Sequence, residues 1–196
     1  MNRLMIRLIR KSGIDIWYTE GFNPHPYVTF ALPLPLGFEG EYEIMDIRVM
    51  DDDYDISLIP EKLNSVCPRY IHFERAVEPQ DKVGNIAFAS YDILFDDNGE
   101  VSKALSSFLS KPSIIALKKT KKGDFKEIEL KDKIKSYEIS TKNGDTLLKI
   151  ILPAGSNDNV NPSLLLEAFY GENTDVYYCF NVARTDILNA SLGRFI

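Results

Sequence analysis

Ser57-Leu58-Ile59-Pro60-Glu61-Lys62-Leu63 and Ser163-Leu164-Leu165-Leu166-Glu167-Ala168-Phe169 share one pattern. Each opens on a Ser-Leu-aliphatic run, has helical character, and lies between stretches of strand character. Read as a repeat, they divide the chain into two related halves. The second half reads strand, helix, strand, hairpin strands, strand, helix, strand. The first reads helix, strand, strand, helix, strand, which is the same unit without its opening strand. The expected fold class is α+β, with two tandem ferredoxin-like (split βαβ) halves, antiparallel sheets and helices packed on one face. Residues 1–196 are expected to form one compact, pseudo-duplicated body, with an incomplete first half over 1–77 and a second half over 85–188. A half that opens inside a helix lacks an edge strand, so either the first unit is incomplete or the true start lies upstream of Met1.

Outward from these segments, Leu4, Met5, Leu8 and Ile9 against Arg3, Arg7, Arg10 and Lys11 predict an amphipathic first helix ended by Ser12-Gly13. Strands are expected over 14–18, 42–50, 69–77, 87–95 and 175–184. A helix is expected over 57–66 and another over 101–109. Hairpins are expected over 113–130 and 134–152, the second turning on Asn143-Gly144. Asn161 and Pro162 open a helix to residue 169 that Gly171 should stop. Strand 42–50, without its missing neighbour, is expected at a sheet edge, where strand addition would give a homodimer.

The 196 residues are 44% apolar and 27% charged, with net charge -6. This is ordinary globular composition, and it argues against a surface coated for nucleic acid. No run approaches the ~20 apolar residues of a membrane helix, and no secretory signal is legible. With only Cys67 and Cys179, no disulfide framework is expected, and the expected location is cytoplasmic.

Residues 19–37 read Thr-Glu-Gly-Phe-Asn-Pro-His-Pro-Tyr-Val-Thr-Phe-Ala-Leu-Pro-Leu-Pro-Leu-Gly. Pro24, Pro26, Pro33 and Pro35 restrict themselves and their predecessors, and Gly21 and Gly37 permit turns. The expected result is a rigid loop presenting Glu20, Asn23 and His25. One reading is a stiff structural crossover. Another is a stand-alone enzyme with its site over 20–37, where His25 is the general acid/base and Glu20 orients it. A third is a structural adaptor.

This segment, with Asn161-Pro162-Ser163-Leu164-Leu165-Leu166-Glu167-Ala168 and Arg184-Thr185 further on, resembles the radical SAM-linked protein family. That family is a domain of unknown function found beside or fused to radical SAM enzymes. Its members open with a further strand and a Ser-His-Leu-Asp-Leu stretch that this chain lacks. The resemblance implies an accessory or substrate-binding domain, a radical SAM protein as partner, and RNA modification as a context. Glu20, Phe22, Asn23, His25, Arg184 and Thr185 become candidate ligand-binding residues.

Two distant cysteines cannot hold an iron–sulfur cluster, which excludes the radical enzyme itself; no cofactor and no metal site is expected. His72 is expected in a strand, and Cys179 as a small buried hydrophobe. Arg184-Thr185-Asp186 is expected just after the last strand, where Arg184 pairs with a carboxylate or binds an anion. Lys118, Lys119, Lys121 and Lys122 are expected on a hairpin tip, either as phosphate contacts to RNA or as a solvated tip that blocks edge pairing.

Overall fold

The amphipathic stripe of the first helix buries Met5, Leu8 and Ile9, and its arginines face out. This helix, α1 (Asn2–Ser12), belongs to the first of two units in the computed structural model of the chain. The structure describes residues 2–119, 123–173 and 180–196. The first unit comprises residues 1–31 and 44–80, with residue 196; the second comprises 32–43 and 81–195.

In the first unit, Ile9, Ile14, Ile16, Ile59 and Leu63 form a buried core against which Val28, Ile47, Val49 and Phe73 pack. Strand β1 (Val28–Phe30) pairs antiparallel with β3 (Met45–Ile47). The expected strand over 14–18 is extended but makes only isolated bridges, from Ile16 to Val49 and from Tyr18 to Pro26. The expected strand over 42–50 shrinks to three residues, because the chain beyond Ile47 turns its hydrogen bonds to residues 15–17. The expected helix over 57–66 is a 3-10 turn, Ile56–Leu58, followed by α2 (Ile59–Asn64). Asp55 caps the turn by accepting from Ser57 N at 3.0 Å.

No strand forms over 69–77. There the Asn64 side chain takes the place of a neighbouring strand: its Nδ2 donates to Phe73 O and its Oδ1 accepts from Phe73 N, both at 2.8 Å. His72 is exposed and lies outside any strand.

The second unit contains a five-stranded sheet in the order β2-β9-β4-β8-β7. Its strands are β2 (Glu39–Gly40), β4 (Ile86–Phe95), β7 (Ser136–Lys142), β8 (Asp145–Pro153) and β9 (Phe180–Asn189). Helices α3 (Val101–Leu109) and α4 (Pro162–Glu172) connect β4 to β7 and β8 to β9. The order β9-β4-β8-β7, antiparallel throughout, is that of a split βαβ unit. A hairpin, β5 (Ile115–Lys119) with β6 (Phe125–Glu129), is inserted between α3 and β7 as a separate two-stranded sheet. The first unit has only the β1–β3 pair among its described residues, so the two units differ in strand order and a tandem repeat of one arrangement does not form. The Ser-Leu-aliphatic likeness has a local cause: Asp55 and Asn161 each accept from a serine N–H two residues on.

Local chemistry explains the remaining boundaries. Asn143 and Gly144 take φ of 55° and 98°, as the β7–β8 turn requires. Buried Asp97 accepts from Val101 N (2.6 Å), Thr146 N (2.7 Å) and Thr146 Oγ1 (2.6 Å), tying the start of α3 to β8. Burial alone would raise the Asp97 pKa, but these bonds outweigh it and hold the carboxyl below its ordinary value. Helix α4 continues through Gly171 to Glu172; glycine lowers helix propensity without forbidding the conformation. Strand β9 extends to Asn189, so Arg184, Thr185 and Asp186 lie within it and not after it. The first part of the expected 175–184 strand, including Cys179, lies outside the described residues.

Candidate functional site

The proline-rich segment contributes one turn to each unit. In the first unit, residues 17–19 and 25–27 run antiparallel and close over residues 20–24. Thr19 N donates to His25 O at 2.9 Å, Tyr27 N to Trp17 O at 2.9 Å, and His25 N to Thr19 Oγ1 at 3.2 Å. The His25 ring turns back on its own loop: Nδ1 lies 3.0 Å from Thr19 Oγ1 and 3.2 Å from Asn23 O. Gly21 takes φ 117°, closed to most side chains. Below the turn, Trp17 and Tyr27 meet edge to face at 5.9 Å, and the Arg48 guanidinium covers Trp17 at 4.8 Å. Glu20, Asn23 and His25 are exposed, and the Phe22 ring is 106% exposed.

The second turn, residues 33–38, belongs to the second unit. Phe38 N donates to Pro35 O at 3.3 Å, Gly37 takes φ 85°, and Leu36 at its apex is 103% exposed. Arg184, only 1% exposed, holds this segment in place. Its Nη1 donates to Pro33 O at 3.3 Å and its Nη2 to Leu32 O at 2.5 Å. Its Nε donates to Glu43 Oε1 at 2.8 Å, and Nη2 also reaches Glu43 Oε2, completing a bidentate ion pair. Strand β2 adds to the sheet parallel to β9, and Glu41 N donates to Arg184 O at 2.9 Å. Gly40 is required by this closeness: a Cβ there would come within 2.7 Å of Glu43 Cγ.

A β-bulge aims Arg184. In the β4–β9 register Ser90 faces Asp186 but Tyr91 faces Arg184, so Thr185 is the extra residue. The shift keeps Arg184 on the face of Tyr91 and lets Ile187 follow it into the core opposite Ala89. Thr185 Oγ1 lies 2.7 Å from Ser90 Oγ, and Asp186 is held by Arg194 through Nε at 2.9 and 3.1 Å and Nη2 at 2.8 Å. All three residues of Arg184-Thr185-Asp186 thus have structural partners.

Arg184 and Tyr91 line a cleft of about 360 Å³ in the second unit. Leu32, Pro33 and Pro35 form part of its wall, and Ser163, Leu164 and Glu167 of α4 form another. Burial pushes the Tyr91 phenol pKa up, while the neighbouring Arg184 charge pulls it down and Glu43 adds a smaller push upward. Lys118 also lines the cleft, two residues along β5 from buried Ala116. Lys119 lies opposite Phe125 in the hairpin register, and Lys121 and Lys122 fall outside the described residues.

Glu20, Phe22, Asn23 and His25 therefore share one turn, while Arg184 and Thr185 belong to the other unit. Sequence reasoning missed Glu43 and Tyr91, which are 141 and 93 residues from Arg184 and carry no local signal. The facing of Lys118 could have been found from its period-2 spacing to Ala116. Among the described residues no group of three His, Cys, Asp or Glu could hold a metal ion. Cys67 donates its thiol to Ile71 O at 2.9 Å. No described helix is long and apolar enough to cross a membrane.

A family model described as an uncharacterized protein conserved in bacteria, DUF2344, matches residues 1–162, a span that includes both proline-braced turns. No curated protein matches the chain.

Proposed function

Because the chain belongs to the DUF2344 family of uncharacterized proteins conserved in bacteria, we propose a role that its own surface supports: an accessory domain that docks onto a partner enzyme. One observation carries this reading. Each proline-braced turn holds a single large apolar side chain, Phe22 or Leu36, wholly out in water. Single exposed apolar residues are common on protein surfaces. Here both occupy the apex of a turn with an ordered backbone and a positive-φ glycine. Burying such a side chain contributes about 1.5–3 kcal/mol, and a turn already ordered loses little entropy on binding. These are properties of interface anchors.

The partner we propose is a radical SAM enzyme, on the strength of the resemblance of residues 20–37 to the radical SAM-linked proteins. RNA enters this reading as the substrate of that partner. The Nδ1 of His25 is engaged by its own loop and the charge of Arg184 is balanced by Glu43, so both serve geometry here. Calorimetric titration of the chain with a radical SAM enzyme of the same organism tests the proposal. Phe22→Ser and Leu36→Ser should each weaken binding about tenfold, with stability changed by less than about 0.5 kcal/mol. Absence of a complex, or wild-type affinity in the double variant, would refute it.

A further inference from the structure

The cleft over Tyr91 and Arg184 has a charge pattern that the docking role does not use. Three of its lining residues are charged: Lys118, Glu167 and Arg184. Glu43 neutralises Arg184 from behind, so the cleft presents one cation and one anion, both on exposed residues. Its floor supplies a further polar group. Tyr91 lines the cleft and has a phenolic proton to donate. Leu32, Pro33, Pro35 and Leu164 give it apolar walls. Its volume, about 360 Å³, lies at the small end of the range for ligand sites.

We propose that this cleft binds a small zwitterion of the apolar α-amino-acid type. The ligand carboxylate is taken by Lys118 with the Tyr91 hydroxyl, its ammonium by Glu167, and its side chain by the proline and leucine walls. A polyphosphate would meet the Glu167 carboxylate, and a simple cation would meet Lys118, so separated opposite charges fit the cleft better than either. Arg184 acts as a positioning residue. It fixes the Leu32 and Pro33 carbonyls of the segment that forms one wall. The inference stands independently of the docking proposal, since it involves neither Phe22 nor Leu36.

Amide chemical-shift titration of the full chain with L-leucine, L-methionine and L-phenylalanine tests it. At least one should give saturable shifts centred on Tyr91, Lys118 and Leu164. The N-acetyl derivative, which lacks the ammonium, and the amide derivative, which lacks the carboxylate, should each bind at least about tenfold more weakly, as loss of a charge-assisted hydrogen bond requires. Glu167→Gln should abolish the preference over the N-acetyl form, and Lys118→Gln the preference over the amide. Both positions are exposed, so the variants should fold. The proposal is overturned if none of the three amino acids gives saturable shifts by about 10 mM. Equal binding of the capped and free forms, or preferences unmoved by the two substitutions, would overturn it as well.

Discussion

Removing either partner of the Arg184–Glu43 pair should have unequal consequences, because the two are unequally buried. Arg184 is 1% exposed and the Glu43 side chain is 28% exposed. Glu43→Ala leaves a guanidinium sealed from water with only the Leu32 and Pro33 carbonyls as described acceptors. A buried charge stripped of its partner costs about 3–5 kcal/mol, and the remaining acceptors place this case near the lower end, at about 3 kcal/mol. Arg184→Met removes the charge and retains most of the apolar stem. It leaves a carboxylate that can rehydrate and two carbonyls without their donor, for about 2 kcal/mol. The double variant removes both charges, so it should cost about 2–3 kcal/mol, well below the sum of the singles. Because the chain has two units, one global melt does not define these values. Native-state hydrogen exchange at core amides of β4 and β8 reads the second unit alone. If Arg184→Met proves costlier than Glu43→Ala, or if the two effects add, the reasoning from burial is wrong.

Asp97→Ala should destabilise the second unit by about 3 kcal/mol, since it strands donors on Val101 and Thr146; exchange at Thr146 N and Val101 N checks this. Its folded pKa is lowered, so its contribution is fully present above the unfolded aspartate pKa and is lost as pH falls through the folded value. Acid titration should therefore show second-unit stability falling below about pH 4, with a shallower fall in Asp97→Asn. His25→Ala changes an exposed ring, so it should shift first-unit stability by less than about 1 kcal/mol in a urea titration; unfolding of that unit would show that the Thr19–His25 contacts hold it together.

Features with local causes were legible in the sequence. The Leu4–Met5–Leu8–Ile9 spacing marks α1, the Asn143-Gly144 turn marks β7–β8, and Asn161-Pro162 marks the start of α4. Residues 69–77 were misread because an alternating pattern does not tell which partner satisfies the backbone. Here the Asn64 side chain does so at Phe73. Strand β9 was cut short because Arg184-Thr185-Asp186 is too polar to read as a core strand. Its partners, Glu43, Ser90 and Arg194, become visible only once the sheet is assembled. For the candidate site, the stiffness of residues 20–37 followed from its prolines. Which side chains that stiffness exposes, and that Arg184 clamps the second turn, required the structure.

Hydroxyl-radical footprinting of the chain, alone and mixed with a radical SAM enzyme of the same organism as the proposed partner, reads the two apical side chains directly. Phe22 and Leu36 should label strongly in the free chain, and labelling of both should fall severalfold in the complex. A complex that forms with both residues labelled as in the free chain would contradict docking through the proline-braced turns.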